Sequence, residues 1–512
     1  MIINPSKTKC NFSIVDLRLL LGIRNETAFD FRPHRNVKTK AILNFDSKLY
    51  NSQGDEFIMD FKKICEPYKK EAYEFLLKDL AINSVYDPTT ITSEAPYGKG
   101  VFKCFELLKE WAIDNGFKVD MCDGHCIELE CGNGERLISI FAHQDVVPAT
   151  GNWNHDPFEP YYDEKENRLY ARGTSDDKGP GISCLYGLKA LKDNNLIKNF
   201  RVRFVFGGDE ERGSSCLDYY FKELKKEYPT YGFTPDADFP LIYGEKGIVN
   251  YEYKGHLPLN NVISIKAGVA SNLVIDKAEV KVSEPEKLLE YLKSDERVQW
   301  NQISDDTFAI LGKSAHGSTP ELGINAGVIA LGILGEVYNN PMLTLLCNEY
   351  SDYNGQNMHV KYESKDMGLT TYNVGTLNYE DGLFSMVVNF RHPENVDADK
   401  VISKIEACSP LPITILSKAP YLYFDPENTP FIKELYKVYV EETGDTTHKP
   451  MAIGGGTYAK EAKNTIAFGS CFPGKVDHIH EANEKIDLED FYNSISIYAH
   501  AIYALGNLKD EN

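Results

Sequence analysis

Two apolar, strand-like runs of this chain end directly in segments that are rich in acidic residues and histidine. The run LISI, residues 137–140, leads into FAHQDVVP, and the run RVRFVF, residues 201–206, leads into GGDEERGS. Helical patterns separate these runs, and an alternation of strands and helices predicts a mostly parallel sheet with flanking helices. Such sheets bind their ligands at the carboxyl ends of the strands, so these two segments predict a functional site.

The chain has 512 residues, which is too long for one hydrophobic core and predicts at least two domains. Residues 1–56 mix Arg, Lys and Asn with only one clear apolar stretch, residues 14–23, and stay unassigned as an amino-terminal extension. The strand–helix alternation gives way to strand-rich patterns at residue 248 and returns with a helical segment after residue 424. We therefore predict an α/β fold, in which residues 57–247 and 425–512 form a metal-binding catalytic domain and residues 248–424 form an inserted α+β domain.

Composition excludes several classes of partner. The formal net charge of −21 disfavours non-specific nucleic-acid binding, which requires a basic surface, and docking on anionic membranes. No apolar run approaches the roughly 20 residues that span a bilayer, and the amino terminus lacks the basic-then-apolar order of a secretory signal. The 11 cysteines are scattered without a C-x-x-C pair, which is typical of reduced thiols and predicts a cytoplasmic protein.

Three further segments contain the same residue types, namely ARGTSDDKGPG, TPDADFP and DHIHEANE. Taken singly, each segment has an ordinary interpretation. A histidine after a strand can be a hydrogen-bonded turn residue, adjacent aspartates can cap a helix, and the run DEER is most often a solvated charge cluster. Taken together, the segments supply imidazole and carboxylate groups without a cysteine. This donor set suits Zn²⁺, with Mn²⁺ or Co²⁺ as alternatives.

Two of these segments contain adjacent carboxylates, and adjacency allows two roles. One member of the pair Asp176 and Asp177 can bridge two cations about 3.5–4 Å apart, because each of its oxygens can bind one of them. Glu210 and Glu211 follow a strand, where successive side chains point in different directions. One of these glutamates can therefore bind a metal while the other faces the substrate as a general base.

At these residues the chain resembles the M20 metallopeptidases and, within them, the PepV-type dipeptidases. The resemblance covers about residues 57–505, which leaves only the amino-terminal extension outside it. It rests on eight motifs in the expected order: HQDVVP, ARGTSDDKGP, DEE, PDADFP, SAHGS, NFRHP, GGGTYAK and HEANE. It implies that the inserted domain is a lid, which contributes substrate contacts within one chain.

The resemblance implies a centre of two divalent metal ions, with Zn²⁺ as the expected metal. Asp176 would bridge the two ions. His143 and Asp236 would complete one site, and Glu211 and His480 would complete the other. In the family the peptide bond after the bridging aspartate is cis.

The resemblance also implies catalytic and substrate-binding roles. Glu210 would be the general base, Asp145 would orient the first histidine ligand, and His316 of SAHGS would polarise the scissile carbonyl. Asn272 and Arg391 would bind the substrate, and the guanidinium would clamp its terminal carboxylate. The loop GGGTYAK would offer backbone N–H groups to the same carboxylate, from Gly455, Gly456 and Thr457.

The implied activity is hydrolysis of dipeptides with free termini by a metal-activated water that Glu210 deprotonates. Acylamino-acid deacylases of the acetylornithine and succinyl-diaminopimelate type have a similar metal core and stay an alternative. A non-catalytic peptide-binding relative is a second alternative, although binding alone does not require a general base. Likeness to PepV-type enzymes further implies a monomer that acts on small peptides, without nucleic-acid or membrane partners.

Overall fold

The computed structural model describes residues 59–476 and 478–509, together with three two-residue strands before them. The chain divides into two compact units. The first consists of Met1–Ser139, His143–Gly208 and Asp477–Asn512, and the second consists of Ile140–Ala142 and Asp209–Val476. Within the described ranges, no helix is long and apolar enough to cross a membrane.

The elements are numbered along the chain. The helices are α1 (Phe61–Cys65), α2 (Lys69–Leu80), α3 (Lys99–Asp114), α4 (Lys178–Asp193), α5 (Ser215–Asp218), α6 (Pro285–Ser294), α7 (Ala326–Val337), α8 (Pro341–Tyr350), α9 (Ala398–Cys408), α10 (Pro430–Thr443) and α11 (Leu488–Asn507). The strands are β1 (Ile42–Leu43), β2 (Leu49–Tyr50), β3 (Glu56–Phe57), β4 (Lys118–Asp120), β5 (Cys126–Gly132), β6 (Arg136–His143), β7 (Tyr161–Asp163), β8 (Arg168–Tyr170), β9 (Phe200–Gly207), β10 (Tyr231–Thr234), β11 (Ala237–Asp238), β12 (Ile242–Glu245), β13 (Gly247–His256), β14 (Val262–Ala267), β15 (Lys277–Val282), β16 (Gln299–Ser304), β17 (Thr307–Leu311), β18 (Glu363–Ser364), β19 (Gly368–Leu369), β20 (Thr371–Glu380), β21 (Leu383–His392), β22 (Ile413–Ala419), β23 (Leu422–Tyr423), β24 (Met451–Ile453), β25 (Thr465–Ala467), β26 (Ser470–Cys471) and β27 (Lys485–Asp487).

Helix α4, which lies in the first unit, is almost entirely buried. It contacts α1, α2 and α11, and nearly all its residues from Lys178 to Leu191 are buried. Gly187 allows α11 to approach closely, because a β-carbon there would come within 2.8 Å of the carbonyl oxygen of Ile495. Burial on all sides holds the amino-terminal end of α4 in place, and Asp177 directly precedes that end.

The second unit contains a large antiparallel sheet with the order β16-β17-β15-β14-β20-β21-β13-β22. Its buried side chains form one core with those of α7 and α8. In that core the hydroxyl of Tyr350 lies 2.9 Å from that of Tyr251 and 2.7 Å from that of Tyr253. Mutual hydrogen bonding therefore satisfies three polar groups inside an apolar layer.

The predicted α/β class is confirmed, but the sheet of the α/β layer is mixed rather than mostly parallel. The pairs β10–β25 and β12–β24 are parallel. The pairs β4–β5, β5–β9, β12–β23 and β12–β25 are antiparallel. The short segment 121–125 joins β4 to β5, and a parallel crossover requires a much longer connection.

The predicted domain boundaries remain predictions. The large antiparallel sheet uses only residues 247–419, which lie close to the range predicted for the inserted domain. The division into compact units, in contrast, places a break at Gly208. Of the predicted extension, residues 1–56, the structure describes only short antiparallel pairings of β1 with β2 and β2 with β3, and the rest lies outside the described residues.

Candidate metal centre and substrate site

The carboxylate of Asp176 contacts a different histidine with each of its oxygens. Oδ1 lies 2.9 Å from Nε2 of His143, and Oδ2 lies 2.8 Å from Nε2 of His480. Asp176 and His143 are buried, whereas the side chain of His480 is about half exposed. The structure therefore brings together three of the five predicted ligands in the arrangement expected of a bridging carboxylate.

Local structure explains how the first two of these residues meet. His143 is the last residue of β6, a strand that is buried from Leu137 onwards. Its backbone N–H donates to Oδ2 of Asp177 at 3.1 Å, which ties the end of the strand to the start of α4. The Asp176–Asp177 peptide bond is cis, as the resemblance predicts.

The ring of His143 is oriented by Asp145. Nδ1 of His143 lies 2.8 Å from the backbone carbonyl oxygen of Asp145 and 3.5 Å from its carboxylate oxygen Oδ1. A carbonyl oxygen can only accept, so Nδ1 carries the proton and a neutral ring presents the lone pair of Nε2 to Asp176. Two acceptors cannot bond to each other, and a proton or a cation between them is required.

The pKa shifts of His143 and Asp176 reflect the need for a proton or a cation between them. Burial by itself would lower the pKa of His143, but its hydrogen bonds with Asp145 and Asp176 raise that pKa well above the usual range for histidine. Burial would raise the pKa of Asp176, but the two imidazoles lower it. The donors at this position, two imidazole nitrogens and one two-oxygen carboxylate, fit divalent metal ions such as Zn²⁺.

A buried ion pair supports the ligand segments from behind. Arg172 Nη1 donates to Oε2 of Glu484 at 2.6 Å, and Glu484 also accepts the backbone N–H groups of Ser175 at 2.9 Å and Asp176 at 3.2 Å. Arg172 Nη2 donates to the carbonyl oxygen of Glu481 at 3.2 Å. Burial, followed by the nearby carboxylate of Asp176, raises the pKa of Glu484 to about 7. The pair therefore connects the segment of the bridging aspartate to the segment of His480.

The remaining predicted acidic residues belong to the second unit. Glu210 and Glu211 are half-buried and come after β9, from which Gly208 and Asp209 separate them. The carbonyl oxygen of Glu210 accepts the N–H of Gly213 at 3.0 Å, which closes a turn. Asp236 is half-buried and lies between β10 and β11. The position of the two glutamates after a strand agrees with the sequence analysis, and the roles of all three residues in binding and catalysis remain proposals.

The predicted substrate residues of the second unit lie close to one another. Arg391 is buried, and its Nη1 donates to the carbonyl oxygen of Gly454. A β-carbon on Gly454 would come within 2.5 Å of the β-carbon of Ser318. The hydroxyl of Ser318 in turn lies 2.6 Å from Nδ1 of His316. Arg391, the glycine loop and the SAHGS histidine are therefore joined by direct contacts.

Asn272 lies next to the SAHGS segment that carries His316. The N–H of Gly317 donates to the carbonyl oxygen of Asn272 at 2.7 Å, and Leu273 forms an isolated bridge with His316. Asn272 and His316 are both exposed. Burial lowers the pKa of Arg391 to about 10, which still leaves the guanidinium charged at neutral pH.

The glycine loop, residues 454–460, is anchored by two residues that the sequence analysis did not single out. Glu245 accepts the N–H of Thr457 at 3.0 Å and its hydroxyl at 2.7 Å. Lys460 donates to the carbonyl oxygens of Lys246 at 2.6 Å and Gly455 at 3.3 Å. Because Glu245 takes both donors of Thr457, the predicted backbone contribution to a substrate is left to Gly455 and Gly456.

Comparison with known proteins gives the class of protein that this fold and site define. Residues 140–504 match the protein family described as "Peptidase family M20/M25/M40". A Staphylococcus aureus (strain USA300) protein named "Putative dipeptidase" is 34% identical over 474 residues, which cover 87% of this chain and 99% of that protein. The chain therefore belongs to Peptidase family M20/M25/M40 and is a metal-dependent peptidase.

Solved structures share the fold at low sequence identity. Human carnosine dipeptidase 1 aligns with a TM-score of 0.54 at 14% identity, over 88% of this chain and 98% of that one. The yeast (Saccharomyces cerevisiae) di-peptidase Dug1p gives a TM-score of 0.54 at 15% identity, over 88% and 98%. The M20 metallo-carboxypeptidase Sso-CP2 from Sulfolobus solfataricus gives 0.54 at 18%, over 86% and 100%. These likenesses confirm the fold.

Proposed function

We propose that this protein is a di-metal dipeptidase that hydrolyses dipeptides with free amino and carboxyl termini. The observation that carries the proposal is the carboxylate of Asp176, which presents one oxygen to His143 and the other to His480. The dipeptidase name of the Staphylococcus aureus relative supports the choice of substrate class. The presence of Glu210 argues against a non-catalytic role, because binding alone does not require a general base.

The proposed metal centre uses the ligand set that the family resemblance implies. Asp176 bridges the two sites, His143 and Asp236 complete one, and Glu211 and His480 complete the other. Imidazole and carboxylate donors without a thiolate favour Zn²⁺, and Mn²⁺ or Co²⁺ would occupy the same donors. When bound, these ions would polarise the scissile carbonyl and acidify the attacking water.

The chain's own residues would carry the proton and position the substrate. Glu210 takes the proton from the attacking water and returns it to the leaving amine. Nδ1 of His316 is fixed by Ser318, so Nε2 is the nitrogen that would stabilise charge on the carbonyl oxygen. Arg391 binds the terminal carboxylate, which places the scissile bond at a fixed distance from the base.

Removal and replacement of metal tests this proposal. The protein is stripped with a chelator, its metal content is measured, and hydrolysis of dipeptides and of N-acyl amino acids is assayed before and after addition of Zn²⁺, Mn²⁺ or Co²⁺. We expect hydrolysis of dipeptides to vanish and return with metal. Full activity in verified metal-free protein would refute the metal centre, and faster cleavage of N-acyl amino acids than of every dipeptide would establish the deacylase alternative.

We also propose that the protein acts as a monomer in the cytoplasm. The cysteines of the described residues are free thiols, and most are buried, which suits a reducing compartment. Sedimentation analysis of the full chain would test the monomer, and a stable dimer at micromolar concentration would contradict it.

A further inference from the structure

Three cationic side chains, Lys246, Arg391 and Lys460, form a cationic cluster around the glycine loop. Nζ of Lys460 donates to the carbonyl oxygens of Lys246 and Gly455, and Nη1 of Arg391 donates to that of Gly454. The cluster is therefore built on backbone contacts within the second unit. One cation suffices for a single carboxylate, so the presence of the others requires an explanation.

Lys246 contacts the chain just before β20, the strand that pairs with the strand of Arg391. Thr371 of β20 is directly opposite Arg391 of β21, and opposite residues of an antiparallel pair project from the same face. Nζ of Lys246 donates to the carbonyl oxygen of Leu369, two residues before Thr371. Burial, and next to it the proximity of Arg391, lower the pKa of Lys246. The contact with Leu369 and the pairing of Thr371 with Arg391 therefore place the ammonium near the guanidinium.

Several donor groups on the buried residues of this cluster have no acceptor among the residues that the structure describes. Lys246 is 8% exposed, Arg391 3% and Thr371 5%. An ammonium has three donors, and among the described residues only Leu369 accepts from Lys246. The described residues also contain no partner for the hydroxyl of Thr371 and none for Nη2 of Arg391. Buried donors without acceptors are costly, so this arrangement indicates a site for an anion with several oxygens.

The nearby carboxylates do not neutralise Lys246 and Arg391. Glu245 is buried, but it accepts from Thr457 and acts on Lys460. Glu461 also acts on Lys460. Glu321 acts on Lys246 but is exposed, where solvent screens its charge. Within the described part of the chain, no carboxylate forms a hydrogen bond with Lys246 or Arg391.

We propose that Lys246 binds a second carboxylate of the substrate, so that the preferred dipeptides have Asp or Glu as their carboxyl-terminal residue. The inference rests on the proposed function, in which Arg391 binds the α-carboxylate. The side-chain carboxylate of such a residue is only a few bonds from the α-carboxylate, so it reaches a cation next to Arg391. Asn and Gln have nearly the same shape but are neutral, so their amide oxygen can accept from the ammonium without pairing its charge.

Matched pairs of substrates test this specificity. The kcat/KM values of the metal-loaded enzyme are measured for Ala-Asp against Ala-Asn and for Ala-Glu against Ala-Gln. We expect the acidic member of at least one pair to be preferred by about 10- to 100-fold, because the amide replaces a buried hydrogen bond between two charged groups with a weaker one to a neutral oxygen. Equal values within each pair would overturn the inference and leave the proposed function intact. Failure to cleave any dipeptide would instead overturn the proposed function.

Variants at position 246 assign the preference to this side chain. Lys246→Gln should bring the acid-to-amide ratio close to one while kcat/KM for Ala-Asn changes less than threefold. Lys246→Arg should keep the preference, and Lys254→Gln, which alters an exposed lysine of β13, is the matched control. Retained hydrolysis of Ala-Asn and an unchanged melting temperature show that a variant is folded. An unchanged acid-to-amide ratio in a folded Lys246→Gln protein would refute the role of Lys246.

Discussion

Glu484 and Arg172 form an ion pair of 2.6 Å in which neither side chain is more than 1% exposed. Glu484 also accepts the backbone N–H of the bridging Asp176, and Arg172 also binds the segment that carries His480. A buried pair of this kind is costly when one partner is removed, because the other charge is left without compensation. Because the pair contacts the segments of two proposed ligands, we expect it to affect metal retention.

We therefore expect Glu484→Gln to weaken metal binding. The amide keeps the size of the side chain but loses the charge that Arg172 pairs with, and loss of such supporting contacts commonly costs about 10- to 100-fold in metal affinity. Metal content after dialysis against a weak chelator measures the effect. Glu489→Gln, at an exposed position in the first turn of α11, is the control, and equal metal retention in both variants would contradict the prediction.

The adjacent glutamates Glu210 and Glu211 should separate chemistry from metal binding. Glu210→Gln removes the proposed base and should lower kcat by roughly 10²–10⁴-fold while metal content stays normal. Glu211→Gln removes a proposed ligand and should lower metal content. Both quantities are measured on the same preparations, and a near-normal kcat in Glu210→Gln would place the base elsewhere.

His316→Ala should lower kcat without loss of metal. The imidazole is proposed to stabilise the oxyanion, and loss of one such donor costs roughly 10²–10³-fold. His256→Ala, which removes an exposed histidine at the end of β13, is the matched control. Unchanged turnover of a good dipeptide by His316→Ala would exclude the proposed role.

Arg391 should make the enzyme sensitive to the end of its substrate. A dipeptide amide or a tetrapeptide leaves the buried guanidinium without its carboxylate, which costs roughly 1–3 kcal/mol, or about one to two decades in kcat/KM. Wild-type enzyme should therefore prefer dipeptides with a free carboxylate over both analogues. Arg391→Ala should reduce this preference, and an undiminished preference in the variant would assign the clamp to another group.

Lys460 predicts a pH-dependent contribution to stability. Burial, partly offset by Glu245, lowers the pKa of Lys460 to about 8, below its unfolded value of roughly 10.4. Between these two values the unfolded chain binds more protons than the folded one, so the contribution of Lys460 to stability increases with pH in this window. The melting temperature of wild type minus that of Lys460→Met should therefore rise between pH 7.5 and pH 9.5. The same difference for Lys433→Met, at an exposed position of α10, should stay constant, and a constant difference for both would contradict the assignment.

Sequence patterns predicted the α/β class and the ligand segments because these depend on local signals. His143 and Asp176 stand next to a buried strand and a helix start, where alternation and capping patterns are visible. Strand direction was less predictable. It depends on whether a connection is a tight turn or a crossover. The pattern of alternating strands and helices does not reveal the short link between β4 and β5.

The supporting residues could not be predicted for a different reason. Arg172 and Glu484 are 312 positions apart, and neither has a neighbour in sequence that indicates the other. Lys246 lies in the segment GEKG, which marked only a change in strand pattern. Pairings between distant charges follow from the folded backbone and leave no periodic trace in one sequence.

The residues that contact Asp176 come from distant parts of the sequence, and this separation has a consequence for the synthesis of the protein. Asp176 and Glu484 are 308 positions apart, and His480 comes from the same late segment. A ribosome must therefore have passed the codon for residue 480 before the second imidazole can meet the carboxylate. Nascent chains, and fragments cut upstream of that segment, contain most of the polypeptide yet have no complete centre. The growing chain thus acquires the residues of its proposed metal centre only late in synthesis.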